Sequence, residues 1–128
     1  MTLHTHQWRR LLAAARETVE ATLRQLPAPV SQRARAVPVS YEERPDDDLL
    51  ADGVESDVLG LFVGESFPDG LVGTDPVPAQ ILLFLENIWT YARHDATAYR
   101  EEIRRTLLHE LGHYLGLDED QLTERDLD

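Results

Sequence analysis

Tyr99, Ile103, Leu107, Leu111 and Leu115 recur at every fourth position through "YREEIRRTLLHELGHYL". At about 100° per residue this spacing draws one continuous apolar stripe down a helix, broadened by Leu108. The stripe predicts a long helix that begins between Asp95 and Ala98. Asp95 or Thr97 is the candidate N-cap, and Gly116 marks the expected end.

The polar side of this helix holds the chemistry. His109 and His113 are four residues apart and fall about 40° from one another on the wheel, opposite the leucines and near Thr106 and Gly116. Both imidazoles can point at one spot a turn apart, as two ligands of a single ion must. Glu110 lies on the flank of that face, near enough to reach a water between the histidines, while Gly112 leaves room beside them. The spacing is H-E-x-x-H. A polar face opposite leucines is also what any solvated surface helix presents, and a lone histidine there would carry no weight. The paired spacing, the intervening glutamate and the acids after Gly116 together favour a metal site.

With no cysteine in 128 residues, thiolate ligands and cysteine nucleophiles are excluded, so an ion must be held by imidazole and oxygen. Two imidazoles leave a catalytic site short of a third protein ligand. A turn after Gly116 brings Asp118, Glu119 and Asp120 back toward the histidines. Any of the three carboxylates can complete the set, and each is equally an ordinary solvated acid.

The rest of the chain reads as a mixture of helix and strand. Trp8, Leu11, Leu12, Ala15, Val19, Leu23 and Leu26 form an amphipathic helix closed by Pro27, and "PAPVSQRA" is a connector. "ARAVPVSYEERP" is β-rich, with Pro38 keeping it from the centre of a sheet. "DDDLLADGVESD" is an acidic loop with a helical turn at Asp48–Asp52. A short strand is expected at Leu59–Val63 and a loop through "PDGLVGTDPVP". "AQILLFLENIW" reads as a well-buried strand, although periodicity alone also allows a helix. Its "ILLFLE" is the natural edge for an extended peptide, and an ordinary core strand is at least an equal role for its side chains. A short polar helix follows the acid run. His4 and His6 lie in a terminus expected to fray, and His94 has no evident partner. Tyr91, Tyr99 and Tyr114 are candidate donors to a developing charge, each with a competing role in helix packing.

The net charge of −12, with 24 acids against 12 bases, opposes a nucleic-acid partner or an anionic membrane, both of which need a positive face. No apolar run reaches bilayer length and no secretory signal opens the chain, so a cytoplasmic location is expected. Oligomeric state is not encoded in any readable feature.

The order of these segments resembles the minimal zincin-like metallopeptidases, small bacterial proteins. The resemblance runs through the N-terminal helix closed by "LP", "DVLGLFVGESF", "VPAQILLFLENI" and "IRRTLLHELGHYLGLDEDQL". It implies an α+β, reduced zincin-like fold in one domain, 1–128, with a small twisted β-sheet packed against an active-site helix and an N-terminal helix. It further implies Zn2+ on His109 and His113, a carboxylate third ligand, Glu110 as catalytic base, and a peptide or protein substrate. The pattern H-E-x-x-H-x-x-G-x-x-[H/D] of several metalloproteases puts the third ligand at Glu119. Asp120 is the close rival and Asp118 the more distant one. Tyr114 stands where relatives often carry another histidine. The competing function is a zinc-binding or interaction module that keeps the fold without turnover.

Overall fold

The computed structural model describes residues 2–64 and 78–115. Most of the expected loop from Pro68 onward lies outside these residues. So do Gly116, the acids Asp118, Glu119 and Asp120, and the short helix expected after them.

Helix α1 spans Thr2–Gln25 and buries Leu11, Ala15, Val19 and Leu23, the stripe its sequence spacing demands. His4 and His6 belong to this helix, which corrects the expectation of a frayed terminus. His4 Nε2 lies 3.0 Å from Glu43 Oε1, a contact that holds the first turn. Pro27 ends α1 and serves as the N-cap of a second helix, α2, at Ala28–Arg35. The expected connector is therefore helical. Pro29 occupies its first turn, where a missing N–H costs nothing because that donor has no partner within the helix. The Ser31 hydroxyl donates to the Leu23 carbonyl at 2.9 Å and fixes the corner.

Strand β1, Val39–Glu42, starts directly after Pro38. The short helix α3 at Asp47–Ala51 is capped by Asp46, whose carboxylate accepts from Leu49 N at 2.9 Å. Gly53 then turns the exposed chain with φ +98° and no atom within 4 Å of where a Cβ would stand. Strand β2 is Gly60–Val63 and β3 is Gln80–Phe84.

The three strands form one mixed sheet in the order β1-β3-β2, with β1 parallel and β2 antiparallel to β3. Pro38 thus precedes an edge strand, as its missing donor requires. The central position of β3 corrects the expectation that "ILLFLE" offers an edge. Ile81, Leu83 and Phe84 are fully buried, and a near-continuous apolar run suits a strand covered on both faces. The strand also stops at Phe84, and Leu85–Tyr91 form helix α4. Glu86 in its first turn faces Glu43. Burial and that neighbouring carboxylate push the Glu86 carboxyl above the ordinary range, while the His4 hydrogen bond holds Glu43 below it.

Helix α5, Ala96–Tyr114, is capped by Asp95, whose carboxylate accepts from Ala98 N at 2.8 Å. Before it, Arg93 and His94 both adopt left-handed backbone, φ 57° and 61°. The His94 ring stacks on Trp89 with centroids 5.1 Å apart, which gives this histidine the partner its sequence context did not reveal. The α5 helix contacts α1, α4, β2 and β3. The Tyr99 hydroxyl donates to the Leu11 carbonyl at 2.8 Å, tying α5 to α1. The result is an α+β fold with a small sheet against α5, and α1 packed on the other side against α5, α2 and α4. No described helix is long and apolar enough to cross a membrane.

Candidate metal centre

The last two turns of α5 carry His109 and His113. Their Nε2 atoms are 3.1 Å apart and their rings lie nearly perpendicular, at 85° with centroids 4.7 Å apart. Two metal–nitrogen bonds of about 2.05 Å at a tetrahedral angle would put the nitrogens about 3.3 Å apart. The pair therefore converges on one point at ligand spacing. Neutral imidazoles with the proton on Nδ1 would present both Nε2 lone pairs there. His113 is exposed and His109 half-buried, so the point of convergence faces the surface from the end of the helix.

Glu110 adds a carboxylate oxygen, and the ligand atoms of His109, Glu110 and His113 all lie within 4.8 Å of one another. Yet Glu110 is only 9% exposed. The cause is strand β2, which passes close over this side of α5. A Cβ at Gly60 would meet Thr106 Cγ2 at 2.5 Å and Glu110 Cγ at 3.5 Å. Glycine is what permits the approach, and the approach is what covers Glu110.

The helical wheel puts Thr106 near the histidines, opposite the leucines, and does not single out Glu102. Both are buried along with Glu110, so this side of the helix is not simply a solvated face. They form a second i, i+4 stripe under β2. A cavity of about 280 Å³ opens between Val58–Gly60 and the α5 residues Glu102, Arg105, Thr106, His109 and Glu110. Arg105 closes part of it by donating to Glu102 at 3.3 Å. The spacing of Glu102, Thr106 and Glu110 was the available signal. It went unused because polar residues are ordinarily assigned to solvent.

The three candidate tyrosines separate clearly. Tyr99 spends its hydroxyl on Leu11, and burial pushes its phenol up. Tyr91 is 62% exposed on α4. Tyr114 is buried beside His113, its ring 6.0 Å from that of Phe62 on β2. The candidate third ligands Glu119, Asp120 and Asp118 lie outside the described residues.

In a comparison with known families, a family model described as zincin-like metallopeptidase matches residues 34–128. No curated protein matches the chain.

Proposed function

The chain belongs to the zincin-like metallopeptidase family, and from that premise we propose that it is a zinc-dependent peptidase with Glu110 as general base. The observation that carries this reading is the pair of Nε2 atoms 3.1 Å apart, with a shielded carboxylate one residue from the first. The donor set fits the ion, since zinc takes imidazole nitrogen and carboxylate oxygen and prefers tetrahedral sites. His109 and His113 would hold it. Glu119 is our assignment for the third ligand, with Asp120 as its rival.

When bound, zinc supplies Lewis acidity to the scissile carbonyl and acidifies water at the open position. The protein's own residues do the rest. Glu110 accepts the proton of the attacking water and passes it to the leaving amine. Its packing against Gly60 and Thr106 limits the rotamers of the carboxylate, so the base is aimed before substrate arrives. Among the described strands β2 pairs only with β3. An extended substrate peptide can therefore add main-chain hydrogen bonds along the open side of β2, beside Glu110.

The test is Glu110→Gln, which keeps size and shape and removes the basic carboxylate. Zinc content measured by mass spectrometry should match the parent, while cleavage of a broad peptide library should fall ~10²–10⁴-fold. Activity retained by the variant would remove Glu110 from the role. A zinc-loaded parent that cleaves nothing would favour the module without turnover.

A further inference from the structure

His4, Glu43 and Glu86 come from three separate elements: the first turn of α1, the residue after β1, and the first turn of α4. Their ligand atoms all lie within 4.8 Å of one another. His4 Nε2 is 3.0 Å from Glu43 Oε1. The Glu86 N–H donates to the Glu43 carbonyl at 3.1 Å, so the two carboxylate-bearing residues are tied at the backbone. We propose that these three side chains form a second divalent-cation site, separate from the histidine pair of α5.

Two observations point to a ligand here. Glu86 Oε2 is buried without a hydrogen-bond partner, and such an oxygen calls for an ion or an ordered water. Two carboxylates are also brought face to face, an arrangement that repels unless a cation or a proton is shared between them. The neighbouring cation is Arg44, whose Nε is 3.7 Å from Glu86 Oε1. Its side chain is 66% exposed and that of Glu86 28%, so solvent weakens this long pairing.

The donor set selects the ion. One imidazole nitrogen and two carboxylates suit a first-row transition ion such as Zn2+ or Mn2+. Calcium would require six to eight oxygens. A bound ion would fasten the start of α1 to the corner where β1 and α4 meet. It takes no part in hydrolysis.

The experiment is calorimetric titration of the metal-free full chain with Zn2+, in the parent, His4→Gln, Glu86→Gln and the double variant His109→Ala/His113→Ala. The His4 side chain is 57% exposed, so its replacement leaves the core intact, and circular dichroism verifies this. The parent should bind two equivalents, and His4→Gln and Glu86→Gln should each lose one. The α5 double variant should keep one, and adding His4→Gln should abolish it. A parent binding a single equivalent that disappears with His4→Gln would support this site and remove the zinc assignment at α5. Unchanged stoichiometry in His4→Gln and Glu86→Gln, or no binding by the α5 double variant, would overturn the site.

Discussion

Helices α1 and α5 are the two long helices, 24 and 19 residues, and they treat their charged residues differently. In α1 the apolar stripe is buried while Arg9, Arg16, Glu17 and Glu20 stay exposed. In α5 the leucine stripe is buried and so are Glu102, Thr106 and Glu110. The cause lies outside both helices. The outer side of α1 meets water, whereas α5 is covered by α1 and α4 and also by β2 and β3. Burying a carboxylate is unfavourable unless its charge is used or compensated. A helix that hides polar residues beneath a glycine-bearing strand therefore points to its own working face.

The sharpest test of this contrast compares equal truncations. Leu107 is completely buried and Leu11 is 6% exposed. Leu107→Ala should lose stability near the top of the ~2–5 kcal/mol range for such cavities, and Leu11→Ala near the bottom, because α1 can shift to fill the space. Urea unfolding midpoints measure both, and equal losses would break the comparison.

A smaller effect is expected where β2 meets α5. Gly60→Ala forces a Cβ against Thr106 Cγ2, a short β-branched side chain with little room to turn. The expected loss is about 1–3 kcal/mol. Thr106→Ser removes the offending methyl, so the double variant should recover much of it. A neutral Gly60→Ala would mean that the strand does not press on the helix.

The smallest effect belongs to α1. Glu20 accepts two bonds from Arg35 at 3.2 Å each, and these hold its carboxyl below the ordinary value of 4.5. A folded-state value below the unfolded one stabilises above the unfolded value and is lost as pH falls through the folded one. Glu20→Gln should thus lower the unfolding midpoint slightly at neutral pH, and the gap should close in acid. A gap that does not narrow as the pH falls below the ordinary carboxylate range would assign the effect to something other than this charge.

Legibility followed the distance along the chain over which each feature is decided. The α1 stripe, the Asp95 cap and the grouping of His109, Glu110 and His113 depend on residues within a few turns, so periodicity was enough. The helix after Pro27 was missed because proline was taken as a breaker rather than as a first-turn residue. The buried β3 was readable from its apolar run, whereas its central place in the sheet overturned the edge reading. Burial of Glu102 and Thr106 depends on Gly60, more than forty residues earlier in the chain. The grouping of His4, Glu43 and Glu86 depends on contacts spanning 39 residues and more, for which no local pattern exists.

The open turn at Gly53 bears on how a chain of this kind can grow. It lies on the connection between β1 and β2, outside every strand pair, with nothing within 4 Å of where its Cβ would stand. Lengthening a loop costs only about 0.6 kcal/mol for each doubling of its length. Residues could therefore be inserted there by evolution or by engineering with the sheet register and α5 left in place. Additions at Gly60 would meet the helix at once. New recognition elements can be added at that corner with little disturbance to the sheet.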